Sequence, residues 1–404
     1  MENTAPIIAL RRALSLPWLV FYGVGVTVGA GIFALIGEVV SLAGDFAPMS
    51  FLIAGAVAGL TGWSYMLLAG EYPRAAGEAV FAKLGLGSAA GRIVGYGVVA
   101  VAVTAGATIG LAFARYLASF TGIPEPVGLV AVLMLLALIA IAGVRESVGF
   151  AAVVTILEVG TLLVLIAVGL PMLGEAGVAA RIIALPGSHV AISSVVAGAF
   201  VAFFAFIGFE NIVNMAEETK NPQRAVPLAI ILTLVISVVL YGLVASVAVA
   251  FPDRVGFTSS EAPLAALFSA ATGWSGAPVA AMASIAMVNG ILVQVIMASR
   301  VLYGMSREGL LPPWFEVLHE TRQTPARAIL MVAAATAVLA LSVPLLRLAE
   351  LTSLVMLLIY TTVNVSLFSI GCSKAAPERI RRWRYWGLLG AAISLGLIVA
   401  EFAR

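Results

Sequence analysis

The chain has 404 residues, 62% of them apolar, while Asp, Glu, Lys and Arg together make only 10%, against roughly 25% in an average soluble domain. A water-exposed globule of 41.6 kDa cannot be covered with so little charge, and a mean hydropathy of +1.11 makes a lipid bilayer its main solvent. A net charge of +2 excludes a nucleic acid surface, one cysteine, Cys372, excludes an internal disulfide, and the distant His189 and His319 lack zinc-hydrolase spacing, so no metal or cofactor is expected.

Crossing the hydrocarbon takes about 20 helical residues. Eleven segments qualify in chain order: 15–40, 47–72, 92–118, 127–143, 148–173, 191–216, 226–250, 277–305, 327–343, 349–371 and 386–402. The first run is longer than a signal-peptide core and lacks an early small-x-small site, so it reads as a span and not a leader. The longest connection, 251–276, holds a mixed segment suited to a short outer helix. Of the 22 Lys and Arg, a cytoplasmic N-terminus places 17 inside, among them Arg11, Arg12, Arg74, Arg145 and the run Arg379 to Arg384, and 5 outside, among them Arg254 and Arg404. The positive-inside rule therefore sets that orientation, and eleven spans bring the C-terminus outside. Beside the basic run, Trp383, Tyr385 and Trp386 read as an interfacial anchor.

Segments one and six are unlike the others. The first carries Gly29-Ala30-Gly31 near mid-span, and the sixth carries Phe206-Ile207-Gly208-Phe209-Glu210 at similar depth. Glycine weakens a helix by about 1 kcal/mol relative to alanine. In lipid an opened stretch persists only where protein, water or ligand satisfies its peptide groups. Close helix packing is the alternative reading of Gly23, Gly25 and Gly29. Two interrupted spans, each starting a five-helix set of opposite orientation, point to a transporter's central site. The outer half of segment one starts near Gly31 and aims a positive dipole end at the membrane centre, which suits a carboxylate. The half-helices ending near Val26 to Val28 and near Phe204 to Phe206 offer carbonyls, which suit an ammonium. An α-amino acid carries both groups.

Three stretches resemble one known family. Val24 to Glu38 (VGVTVGAGIFALIGE) is similar to the first-helix motif of the amino acid/polyamine/organocation superfamily. Phe203 to Pro227 (FFAFIGFENIVNMAEETKNPQRAVP) resembles the sixth helix and following loop of its cationic amino acid transporter branch, and Arg300 to Pro313 (RVLYGMSREGLLPP) the end of the eighth helix. The resemblance implies an all-α membrane protein with a LeuT-like five-plus-five inverted repeat, its first and sixth helices broken. It also implies a single transporter domain over 1–404, with repeats at about 15–173 and 191–371 and an extra helix at 386–402. Relatives usually have twelve or more helices, and the segment count here stops at eleven. Carried over by position, the carboxylate site falls on Val28, Gly29, Ala30, Gly31 and Ile32. The ammonium site falls on carbonyls at Val24, Val26 and Thr27 and on Phe203 and Phe206, with Ile207 and Gly208 in the opened stretch and Phe206 or Phe209 as an aromatic lid.

Ionisable residues at membrane depth are functional candidates, since each costs at least about 2.5 kcal/mol to insert. Glu210 at the sixth-segment break reads as a proton site or as a cap of the inner half-helix. Glu158 falls where proton-coupled relatives carry a lysine, and reads as a coupling carboxyl or as a polar residue hydrogen-bonded to a neighbouring helix. Asn289 is a further coupling candidate. For Asn289, Gln294, Thr104 and Thr108, interhelical hydrogen bonding is the simpler role. Glu217, Glu218, Lys220 and Arg224 form a candidate cytoplasmic gate, opposed by Tyr72-Pro73-Arg74 and Glu78. The expected function is secondary transport of L-amino acids across the cytoplasmic membrane by alternating access, most simply proton symport. Exchange and polyamine or organocation transport are the alternatives. There is no Walker motif for direct ATP use, no continuous polar stripe for a channel, and no nucleophile and base pair for an enzyme.

Overall fold

The computed structural model describes residues 14–73, 77–143, 148–175, 177–251, 254–307, 311–319 and 322–403. Arg11, Arg12, Arg74, Arg145 and Arg404 lie outside these residues, and the side chains of Glu217 and Arg254 are not among those described. Among the described residues the secondary structure is helical, apart from one isolated bridge between Leu14 and Thr219.

Among the described residues, nine helical runs are long and apolar enough to cross a membrane. The first, Leu16–Glu71, is 56 residues long, enough for two passes at 1.5 Å per residue. It divides into α1 (Leu16–Val28), α2 (Ala30–Ala43) and α3 (Ala47–Glu71), with a tight turn at Gly44–Phe46 between the last two. Between α1 and α2, Gly29 takes φ −54° and ψ −117°, off the helical well. A short helix absent from the sequence reading, α4 (Gly77–Leu86), follows, then α5 (Ser88–Thr121), stopped by left-handed Gly122. Next come α6 (Glu125–Ala142), α7 (Val148–Leu173) and the short α8 (Val178–Ile183).

The sixth segment begins as α9 (His189–Ala202), N-capped by the Ser188 side chain accepting from Ala191 N–H. It tightens to a 3₁₀ turn at Phe203–Phe206, opens at Ile207 and Gly208, and resumes as the four-residue α10 (Asn211–Asn214). Then follow α11 (Pro222–Ala250), the short α12 (Arg254–Ser259) and α13 (Pro263–Thr272) in the stretch expected to hold an outer helix, and α14 (Ala277–Arg307). The chain closes with α15 (Ala326–Ser342), α16 (Leu345–Cys372) and α17 (Glu378–Phe402). At 17 residues, α15 covers about 25 Å of a hydrocarbon layer of about 30 Å.

Helix α5 packs most extensively on α14, α3 on α11, and α16 on α17. Buried side-chain hydrogen bonds pin the α3, α16 and α17 corner. Asn364 Nδ2 donates to Thr61 Oγ1 at 2.9 Å, and Ser64 Oγ donates to Asn364 Oδ1 at 2.6 Å. The expected interfacial aromatics also serve this corner. Trp386 Nε1 donates to the Leu60 carbonyl at 2.9 Å, and Trp63 lies against Trp383 and Trp386.

Candidate functional site

The two interruptions meet. A Cβ on Gly31 would stand 2.8 Å from Ala205 Cα, so the backbones touch where only glycine fits. Gly208 has φ +138°, and a Cβ there would stand 2.8 Å from the Val26 carbonyl oxygen. From α11, the buried Tyr241 hydroxyl bridges both interruptions, 2.6 Å from the Thr27 carbonyl and 2.8 Å from that of Ala205. One O–H thus satisfies two half-helix ends that have no helical partner. Sequence reasoning missed Tyr241, because a lone tyrosine in an apolar span belongs to no motif.

A cavity of about 30 Å³ lies at this junction, room for about two waters. Gly25, Val26 and Thr27 form one wall with Gly29, Ala30 and Gly31. Phe204 and Ile207 come from the sixth segment, and Ala105 and Ile109 from α5. Asn289 and Gln294 reach it from α14, between Ala286, Gly290 and Val293. The buried Thr27 Oγ1 and Gln294 Oε1 atoms have no hydrogen-bond partner among the described residues.

The 3₁₀ turn decides which aromatics face this space. With three residues per turn, positions i and i+3 share a side. Phe204 and Ile207 therefore face the cavity together, while Phe203 and Phe206 point into the core, both fully buried. Phe206 packs edge-on against Tyr241 with ring centres 5.0 Å apart, and Phe203 against Tyr360 at 5.5 Å. Phe209 lies against Tyr65 and Tyr360. The structure thus turns Phe203, Phe206 and Phe209 away from the cavity. Val28 and Ile32 are also buried in the core, off the cavity wall.

Glu158 on α7 is buried, and its Oε1 lies 3.3 Å from where a Cβ on Gly29 would stand. Neither of its carboxyl oxygens has a hydrogen-bond partner among the described residues. Glu210 is engaged: its Oε2 accepts from Gly208 N–H at 2.8 Å and from the Tyr360 hydroxyl at 3.0 Å. It therefore caps the opened stretch from within. Beside this layer, Gly77 at the start of α4 packs against Val213 of α10. Glu78 is buried there, and burial, with the nearby Glu210 carboxyl, pushes its own carboxyl up to about 8. Thr104 bonds between helices, accepting from the Thr352 hydroxyl of α16 at 2.8 Å, and Thr108 bonds within its own helix, donating to the Thr104 carbonyl.

The candidate gate is joined through its backbone. Leu14 N–H donates to the Glu218 carbonyl at 3.0 Å, and Lys220 N–H donates to the Leu14 carbonyl at 2.8 Å. Among the described residues no ion pair involves Glu218, Lys220 or Arg224. At the other end of α5, Arg115 lies 3.7 Å from Glu38 and 3.8 Å from Glu125, all partly exposed, and Tyr116 donates to the Phe33 carbonyl at 3.1 Å. Among the described residues no three His, Cys, Asp or Glu side chains gather as a metal site.

Comparison with known proteins gives this geometry a family. The family model described as "Amino acid permease" matches residues 14–403. The chain is 30% identical over 379 residues to "Cationic amino acid transporter 4, vacuolar" of Arabidopsis thaliana, covering 88% of this chain and 62% of that protein. It is 31% identical over 376 residues to an uncharacterized transporter of Mycobacterium tuberculosis, covering 92% and 83%. It is 26% identical over 402 residues to the branched-chain amino acid permease BcaP of Bacillus subtilis, covering 94% and 85%. The chain spans 62% of the length of the first plant relative and 59% of another, "Cationic amino acid transporter 2, vacuolar". The chain is thus a multi-pass, all-α membrane protein that belongs to the amino acid permease family of the amino acid/polyamine/organocation superfamily, a family that fits a LeuT-like fold.

Proposed function

We propose that the chain is a secondary transporter of L-amino acids, working by alternating access as one transmembrane domain over 1–404. The observation that carries this reading is the meeting of two interrupted helices at a small interior cavity, with the amide end of α2 on one side and the carbonyl ends of α1 and of the 203–206 turn on the other. The substrate carboxylate binds at the amide ends around Gly29, Ala30 and Gly31, and its ammonium at carbonyls around Val26 and Ile207. Phe204 takes the place beside the ligand first assigned to Phe206. Two repeats, about 15–173 and 191–371, are supported by the pairing of α3 with α11 and of α5 with α14, each the counterpart of the other in its own repeat; 386–402 is an addition.

The N-terminus lies in the cytoplasm, the C-terminus lies outside after eleven passes, and the protein resides in the cytoplasmic membrane. Transport is driven by proton symport, with Glu158 as the proton carrier, a reading supported by a buried carboxyl beside Gly29 that has no hydrogen-bond partner among the described residues. Glu210 has a capping role, and Asn289 serves as a wall of the site. Glu218, Lys220 and Arg224 act through the backbone of their loop. Exchange is the alternative mode. A polyamine permease is less well supported, because no carboxylate lines the cavity.

The test is uptake of a labelled amino acid panel into proteoliposomes with and without an inward proton gradient. Concentrative uptake of at least one amino acid that needs the gradient is expected, and no uptake or exchange of any would sink the reading. Glu158→Gln is expected to retain exchange but lose gradient-driven accumulation. Unchanged accumulation and pH profile would remove Glu158 from the proton path.

A further inference from the structure

If the chain carries amino acids as proposed above, the wall opposite the helix ends decides which ones. That wall comes from α5 and α14. Its apolar members are Ala105, Ile109, Ala286 and Val293, and its polar members, Asn289 and Gln294, are both neutral. We infer that this subsite takes a small, uncharged side chain, so that the cargo is a small neutral amino acid of the alanine, serine or threonine kind and not arginine, lysine or ornithine.

Three observations carry this. First, neither buried carboxyl near the site lines the cavity. The Glu210 carboxyl is occupied by Gly208 N–H and the Tyr360 hydroxyl, and Glu158 faces Gly29 from α7. A guanidinium or second ammonium seated against α5 and α14 would find no carboxylate among the residues lining its pocket, and the desolvation cost of an unpaired ion is several kcal/mol. The ammonium and carboxylate that every α-amino acid shares use the helix ends and leave nothing over for a further charge. Second, the walls stand close. A Cβ on Gly290 would stand 3.1 Å from Ala30 Cβ and 3.5 Å from Ile109 Cδ1, and the cavity measures about 30 Å³. Third, the site holds unused neutral hydrogen-bonding atoms. Thr27 Oγ1 and Gln294 Oε1 are buried without partners among the described residues, and a substrate hydroxyl can satisfy one of them, removing the penalty of leaving it unpaired. The inference parts from the printed names of the plant relatives, which describe cationic substrates for those proteins.

The experiment is competition against labelled alanine uptake by the full chain in proteoliposomes. The competitors are unlabelled serine, threonine, leucine, arginine, lysine and ornithine, with direct uptake of labelled arginine alongside. Serine and threonine are expected to compete within about tenfold of alanine, and the three cationic amino acids at least about a hundredfold less well, the ratio expected for an unpaired charge of about 3 kcal/mol. Arginine or lysine uptake with a kcat/KM within tenfold of alanine overturns the inference while leaving the transport reading intact. No uptake of any amino acid overturns the transport reading instead. Gln294→Glu supplies the missing charge. In this variant uptake of arginine or lysine is expected to gain at least about tenfold relative to alanine, and a monodisperse protein with a wild-type thermal midpoint shows that it folds. Continued exclusion of cationic amino acids by a folded Gln294→Glu protein overturns the placement of Gln294 against the substrate side chain. If Gln294→Glu fails to fold, thermal stabilisation of purified wild-type protein by the same panel gives an independent ranking, and a ranking led by arginine or lysine overturns the inference.

Discussion

Tyr241→Phe removes a single oxygen from the junction of the two interrupted helices. The ring itself is held by Phe51 at 5.8 Å and Phe206 at 5.0 Å between centres, contacts that phenylalanine keeps, so packing is conserved. What is lost is the donor shared by the Thr27 and Ala205 carbonyls at 2.6 and 2.8 Å. A buried acceptor left unsatisfied costs about 1 to 3 kcal/mol. Because one proton serves both carbonyls, the two losses do not simply add, and about 2 kcal/mol is the expected total. That energy corresponds to a factor of about 30 in the population of the arrangement that presents both helix ends to a ligand. The apparent KM for the transported amino acid is therefore expected to rise by roughly 10- to 30-fold, with a smaller change in maximal rate. Uptake kinetics in proteoliposomes, normalised to reconstituted protein, read this directly, and a lower thermal midpoint in detergent should accompany it. A KM within twofold of wild type together with an unchanged midpoint would refute the reasoning, since water would then be replacing the hydroxyl at no cost.

Other positions give separate tests. Gly208→Ala places a side chain at φ +138° and 2.8 Å from the Val26 carbonyl oxygen, a strain of about 1 to 3 kcal/mol before the overlap is counted. Transport should fall at least about tenfold, and wild-type activity with a wild-type midpoint would show that the opened stretch rearranges freely. Glu78 has a folded value of about 8 against 4.5 in an unfolded chain, so its neutral form favours the folded state. That contribution is complete below about 4.5 and lost as pH rises through about 8. Glu78→Gln should flatten the fall in thermal midpoint across this window, and parallel curves for the two proteins would count against the burial argument. Asn364→Leu strands the Thr61 and Ser64 hydroxyls, at a cost of about 1 to 2 kcal/mol. Loosening of α17 should appear as faster limited proteolysis between α16 and α17, and unaltered cleavage would mean that the network contributes little to that corner.

How much of this was legible in the sequence depends on which force set each feature. The segments could be read because lipid imposes one rule, apolar residues in runs of helical length, and α5, α11 and α16 only extend the runs expected by a few residues. The small helix α4 was not legible, since ten residues of mixed character between two spans carry no strong periodicity. At the site, Gly29, Gly31 and Gly208 stood out because glycine in an apolar helix has a cost that needs a reason. The side each phenylalanine faces did not, because an α-helical reading of 203–209 gives a rotation of 100° per residue where the structure uses a 3₁₀ turn. The gate loop stands out in the sequence by its charges, while the contacts described at Glu218 and Lys220 run through peptide groups that every sequence possesses. The partners of Glu210 and Tyr241 come from Tyr360 and from the carbonyls of Thr27 and Ala205, distances in sequence that no local pattern spans.

The pair of backbone hydrogen bonds at Leu14 has a mechanical meaning. It fastens the residue just ahead of α1 to the loop just after α10, so these two pieces of the interrupted helices are linked at their far ends as well as at the junction near Tyr241. A part held at both ends swings as a unit. On the transport reading proposed above, release on that side resembles a hinged flap more than two independent doors, with Gly29 and Gly208, where the chain leaves helical geometry, on its hinge line.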